Sequence, residues 1–101
     1  MNITYMDSIK GVPYKSKVVL AKELGISPGT VNNRCKEIKE EILNGRYPEW
    51  SVINDCGLKL INYLVYIDYS FNREKLREPN LRKYVEPFNA YEVAKSIGYY
   101  Q

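Results

Sequence analysis

The stretch VVLAKELGISPGTVNNR, residues 18–34, predicts a helix, a tight turn and a second helix. Gly25 can adopt the left-handed backbone conformation that such a turn needs. Ala21 is small, which allows the second helix to cross close over the first at this position. The angle between the two helices would be filled by apolar side chains, which we expect to be Leu20, Leu24, Ile26 and Val31.

Capping residues set the expected bounds of both helices. The first helix is predicted over residues 16–24, with Ser16 as the N-cap that accepts a hydrogen bond from a free backbone N–H. The second is predicted from its N-cap Ser27 to about Asn44, with Pro28 in the first turn, where a missing N–H costs nothing. One apolar stripe with helical spacing would face the core along this helix, formed by Val31, Cys35, Ile38 and Ile42.

Downstream of Gly45 the pattern changes. It predicts a β-hairpin over residues 47–61, a helix over 63–77, a polar extended segment over 80–88 and a last helix capped by Asn89. The inward-facing residues of these two helices would be Leu64, Ile67, Phe71 and Leu76, then Val93, Ala94 and Ile97. The predicted fold class is therefore mainly α with a small β-hairpin.

Length and composition indicate one globular domain. The chain has 101 residues, of which 45% are hydrophobic. We expect a single domain over 1–101, with a core of about 14–78 and a C-terminal helical extension over 79–101. No apolar run approaches the ~20 residues of a membrane span, and MNITYMDSIK has no apolar signal core. The expected location is the cytoplasm.

Composition also excludes several chemistries. The chain has no histidine, which excludes Ser-His and Cys-His catalysis and any metal site that needs imidazole. It has no glycine-rich phosphate loop, and its acidic residues lack the spacing of a metal loop. Cys35 and Cys56 form no CxxC pair, so that two free thiols or one disulfide are both open. We expect no enzymatic activity, no cofactor, no metal and no small-molecule substrate.

The spacing of Ala21, Gly25 and Val31 resembles the helix-turn-helix of bacterial and phage DNA-binding proteins. This resemblance implies that the second helix is a recognition helix for the major groove. A helical hairpin with a glycine turn and no DNA partner is the alternative. Residues 1–46 carry eight Lys or Arg against five Asp or Glu, whereas residues 47–78 carry four against five. The excess of basic residues in the first half favours a polyanionic partner.

Candidate DNA contacts lie on the exposed part of the second helix and beside the hairpin. Serine and threonine hydroxyls suit phosphates, asparagine can pair with adenine, and arginine can pair with guanine. Lysines suit the phosphate backbone. The candidate residues on the helix are Ser27, Thr30, Asn32, Asn33, Arg34, Lys36 and Lys39, and those beside the hairpin are Arg46 and Lys59.

The order of these elements resembles the winged-helix group that contains MerR-type DNA-binding domains and the excisionases of phages and mobile elements. The matching pieces are LAKELGISPGTVNNR, GRYPEW and LKLINYLVYIDY. The long second helix and the additional residues 79–101 depart from that pattern. The resemblance implies a winged helix-turn-helix that binds double-stranded DNA sequence-specifically. Such a protein would act as an excisionase-like recombination directionality factor or as a transcriptional regulator.

Several alternatives stay open. The hairpin either contacts DNA as a wing, which an acidic Asp55 at its tip opposes, or only covers the core with Trp50 buried. The segment 79–101 either holds neighbouring copies together on DNA or docks onto its own core. The tyrosines either stack on single-stranded bases or pack in the core. A small protein-interaction module or inhibitor that uses the same scaffold without DNA is the alternative function.

Overall fold

A computed structural model describes residues 14–55 and 57–98, with the backbone alone at Asp55. The helices and strands follow in the order β1 Tyr14–Ser16, α1 Lys17–Leu24, α2 Pro28–Leu43, a 3-10 helix Glu49–Ser51, β2 Val52–Asp55, β3 Leu58–Asn62, α3 Tyr63–Leu76, α4 Pro79–Arg82 and α5 Ala90–Ser96. The described chain is thus mainly helical with a small antiparallel sheet. None of its helices has both the length and the apolar character that crossing a membrane requires.

The pair α1 and α2 confirms the predicted helix, turn and helix. Ser16 Oγ accepts a hydrogen bond from Val19 N, and Ser27 Oγ accepts one from Thr30 N at 3.1 Å. Gly25 has φ 67° and ψ 33°, the left-handed conformation. The N–H groups of Gly25 and Ile26 both donate to the carbonyl of Ala21, which satisfies the end of α1 and turns the chain.

The sheet has three strands in the order β1-β3-β2, one more than the predicted hairpin. Tyr14 pairs with Asn62 and Ser16 with Leu60, so that β1 covers the edge of β3 that β2 leaves open. A three-residue strand is too short to show an alternating pattern, and its partner lies more than 40 residues away in the chain. This is why the sequence did not reveal β1.

The start of the hairpin differs from the prediction. Residues 49–51 form a turn of 3-10 helix, so that the first strand of the hairpin begins only at Val52. Trp50 lies in this turn and is 43% exposed, so that the alternative of a hairpin that covers the core with Trp50 buried is wrong for this residue.

The inner face of α3 also differs from the prediction. Leu64 and Leu76 are buried as expected, but Ile67 is only half-buried and Phe71 is 86% exposed. Tyr66 and Tyr69 are buried in their place. At about 100° per residue, the face centred on Tyr69 lies opposite Phe71. The packing interpretation of these two tyrosines is thus confirmed.

Residues 79–98 pack onto the rest of the described chain. Pro79–Arg82 is a short helix rather than part of an extended segment, because Glu78 caps it and Pro79 suits a first helical turn. The ring of Phe88 meets Tyr47 edge-on at 5.2 Å between centroids. Ala94 of α5 is buried against Leu64. Docking onto the core is therefore the observed arrangement of this segment.

The end of α5 is less buried than the sequence suggested. Asn89 Oδ1 accepts from Glu92 N at 3.1 Å, as the predicted cap requires. Val93 is half-buried, and Ile97 lies just past the helix and is 41% exposed. The expectation that Ile97 faces inward is wrong. Tyr99 and Tyr100 lie outside the described residues.

Candidate nucleic-acid interface

Helix α2 has two flanks of opposite charge beside its buried stripe. At about 100° per residue, Asn32, Lys36 and Lys39 lie on one flank. Glu37 and Glu41 lie on the other. We call the first group and its neighbours Lys17 and Lys59 the lysine flank. We call Glu37 and Glu41 the acidic flank.

The lysine flank brings together three elements. Lys17, the first residue of α1, donates from Nζ to Asn32 Oδ1 of α2 at 2.7 Å. Lys59 of β3 reaches the same region and lies close enough to Lys39 for the two side chains to act on each other. The interaction with Lys39, together with partial burial and the charge of Lys17, lowers the pKa of Lys59 from its usual value. Like charges are thus held close together in the folded protein.

The same three lysines act electrostatically on the buried thiol of Cys35. Burial raises the pKa of this thiol, and the positive charges of Lys17, Lys59 and Lys39 oppose that rise. The positive charges of all three lysines therefore act on one position of α2. Within residues 14–55 and 57–98, none of the ion pairs includes Lys17, Lys39 or Lys59. Among the residues that the structure describes, no acidic side chain pairs with these lysines, and this flank consequently has a positive field.

The acidic flank is neutralised by arginines from the C-terminal half. Glu37 accepts from Arg73 Nε at 2.8 Å, and Tyr69 Oη donates to Glu37 at 2.7 Å. The Arg73 hydrogen bond, with those of Tyr69 and the charge of Arg77, lowers the pKa of Glu37 to about 2. Glu41 is buried and forms an ion pair with Arg82. These contacts tie α2 to α3 and to the segment that follows α3.

Arg46 has a structural environment. Its guanidinium donates to Asp68 at 2.8 Å and to the carbonyl of Glu86 at 2.8 Å. Its side chain is only 9% exposed. Tyr47 Oη donates to the same Asp68 oxygen at 2.6 Å. The pKa of Tyr47 is raised above its usual value, mainly by burial and to a smaller extent by this hydrogen bond to Asp68. The structure therefore places Arg46 in a buried ion pair and not with the other candidate DNA contacts.

The remaining candidates on α2 lie in different surroundings. Ser27 and Thr30 are hydrogen-bonded to each other through their hydroxyls at 2.9 Å, at the exposed start of the helix. Asn33 and Lys36 are exposed. Arg34 is half-buried and lies close enough to Tyr66 for its charge to act on that phenol, on the side of α3. The structure thus brings Lys39 and Lys59 together with Asn32, and separates Arg34 from them.

Sequence reasoning missed Lys17. As the first residue of a short helix it resembles an ordinary solvated lysine, and only the crossing of α1 over α2 brings it to Asn32. The signal was the predicted crossing at Ala21, since it implies that some residue near the start of α1 meets α2. Comparisons with protein-family models, with curated proteins and with solved structures find no match to this chain.

Proposed function

We propose that the protein is a winged helix-turn-helix that binds double-stranded DNA through α2 and the β2–β3 hairpin. The observation that carries this proposal is the lysine flank. Lysines from α1, α2 and β3 converge there without an acidic partner among the described residues. Phosphates of a nucleic-acid backbone would supply the missing negative charge.

The contacts divide into two kinds. Lys17, Lys39 and Lys59 would hold backbone phosphates and fix the position of α2. Asn33 and Lys36 are exposed on α2 and would face base edges in the major groove. Asn32 is less available for a base, because its oxygen already accepts from Lys17. Lys59 lies on β3 opposite Asn54, one residue pair from the last pair before the turn, so that the hairpin would contact DNA as a wing through this strand.

The role that fits the resemblance is that of an excisionase-like recombination directionality factor or a transcriptional regulator in a phage or mobile element. Both roles require sequence-specific DNA binding and neither requires a catalytic group in this chain.

The central test replaces Lys17, Lys39 and Lys59 together by glutamine. We expect affinity for duplex DNA to fall by about 100-fold at physiological salt, and the slope of log K against log salt to fall by about 3. The matched control replaces the exposed Lys22, Lys83 and Lys95 by glutamine, which removes the same charge outside the lysine flank. An equal loss in both variants would show a general charge effect and would contradict the proposed surface.

A second test compares two residues of α2 as candidates for contacts with DNA bases. Asn33→Ala should cost about 1–3 kcal/mol of binding to a preferred sequence and relax one base preference. Arg34→Ala should have a smaller effect, because Arg34 lies on the side of α3. A larger loss for Arg34→Ala than for Asn33→Ala would mean that α2 enters DNA by its other flank.

A further inference from the structure

A groove of about 900 Å³ lies between α3, the chain after α4, and α5. Its apolar lining is formed by Ile67, Phe71, Val85, Pro87, Phe88 and Ile97. Phe71 stands at this groove with 86% of its surface exposed, and Tyr84 beside it is 73% exposed. Contiguous exposed apolar surface of this kind usually marks a binding site, because leaving it in water is unfavourable.

We propose that this groove is a self-association surface that takes a second copy of this chain. The same patch offers a projecting ring, Phe71, and a hollow of the size that a ring can enter. A two-fold axis through the patch would place each Phe71 in the groove of the other copy. Such self-complementarity is what a symmetric dimer interface requires.

The charged residues at the groove also favour a second copy of this chain. Lys75 of α3 lines one wall of the groove, Glu86 and Glu92 line the opposite side, and all three are exposed. None of them belongs to an ion pair among the described residues. The two-fold arrangement that inserts Phe71 brings each α3 wall towards the α5 wall of the second copy, so that Lys75 meets an opposite charge. A purely acidic or purely basic partner would match only one wall.

The position of the groove is compatible with DNA binding by the dimer. Tyr69 and Arg73 of α3 face α2, whereas Ile67 and Phe71 lie on the face turned away from it. Two copies joined there would leave both lysine flanks free. A pair of weak DNA sites held together binds more tightly than either alone.

The test is the molar mass in solution without DNA, which makes its outcome independent of the proposed function. Light scattering and sedimentation should show the mass rise from 11.8 kDa towards twice that value as concentration increases. Phe71→Glu should weaken the dimer by about 30-fold or more, as expected for a central aromatic contact. The control is Leu43→Glu, because Leu43 is 88% exposed at the end of α2 and lies outside the groove.

A charge exchange tests the arrangement itself. Lys75→Glu and Glu92→Lys should each weaken the dimer, and the double variant should restore it. A wild-type chain that stays monomeric at all concentrations would overturn the proposal, as would equal effects of Phe71→Glu and Leu43→Glu. Dimerisation that appears only after residues 99–101 are deleted would also overturn it, because the chain's own end would then occupy the groove.

Discussion

The two flanks of α2 use charge in different ways. On the acidic flank, Glu37 and Glu41 are matched by arginines at hydrogen-bond distance, and the contacts hold the second half of the chain in place. On the lysine flank, positive groups are held against one another. The first arrangement stabilises the fold. The second opposes it by repulsion, which the negative partner that we propose would relieve.

In the function that we propose, the charges of the acidic flank stabilise the fold and those of the lysine flank bind DNA. Formal charge does not distinguish the two, since Arg46 and Lys59 are both basic residues close to the hairpin in sequence. Burial and partners distinguish them: Arg46 is paired with Asp68, whereas Lys59 has another lysine beside it. A substitution on one side should therefore change stability and leave DNA affinity intact, and a substitution on the other side should do the reverse.

The largest effect is expected from Asp68→Ala. It would leave the buried Arg46 guanidinium without its carboxylate and Tyr47 Oη without its acceptor. We expect a loss of about 3–5 kcal/mol in the free energy of unfolding, measured with urea. The control Glu23→Ala removes the more exposed ion pair with Lys15 and should cost about 1 kcal/mol or less. Similar losses in both variants would contradict the structural role of the Arg46 ion pair.

The second effect is a pH dependence carried by Glu37. Its pKa in the folded protein is about 2, below the usual 4.5, so that it contributes stability above pH 4.5 and loses it as pH falls towards 2. Glu37→Gln should cost about 2 kcal/mol at pH 7, after allowance for solvent screening, and less at pH 3. Glu40→Gln, on the exposed face of the same helix, is the control. A Glu37→Gln loss that is the same at both pH values would contradict this assignment.

Local chemistry explains what the sequence predicted well. Ser16, Ser27, Asn62 and Asn89 each cap the helix that was expected to follow, because a cap depends only on residues two or three positions away. Gly25 was predictable for the same reason. These residues fixed the order of elements and the exposed start of α2, which is where the candidate DNA contacts were sought.

What the sequence missed depends on distant partners. Strand β1 forms only because β3 offers an unpaired edge. On the inner face of α3, Tyr69 donates to Glu37 of the distant helix α2, a hydrogen bond that a phenylalanine such as Phe71 could not make. Arg46 was assigned to DNA because Asp68 and Glu86, which hold it, are 22 and 40 residues further along the chain.

A smaller change in stability is expected at Gly25, in the turn between α1 and α2. Gly25→Ala should cost about 1–2 kcal/mol, because alanine is strained at φ 67° even though nothing lies within 4 Å of the added carbon. Gly29→Ala is the matched comparison inside α2, where the new carbon meets only Ser27 Oγ at 3.9 Å. It should be neutral or stabilise by up to about 1 kcal/mol. If Gly25→Ala and Gly29→Ala shifted the melting temperature in the same direction, backbone strain at Gly25 would not explain the effect of its substitution.

The smallest change in stability is expected from Lys59→Met, which also tests most directly whether the two flanks of α2 differ in function. Lys59→Met removes a charge whose pKa is lowered by its lysine neighbour, so that the ammonium form is disfavoured in the folded protein. The free protein should therefore gain a few tenths of a kcal/mol at pH 7, and wild-type stability should rise as pH increases through the lowered pKa. DNA affinity should fall by about 5-fold, the effect of one lost phosphate contact.

Lys83→Met, which removes a lysine lying over the ring of Tyr84, should not stabilise the protein and should leave DNA affinity nearly unchanged. If Lys59→Met lowered the free energy of unfolding and left DNA affinity unchanged, Lys59 would stabilise the fold as Glu37 and Glu41 do. The proposed difference between the lysine flank and the acidic flank would then be wrong.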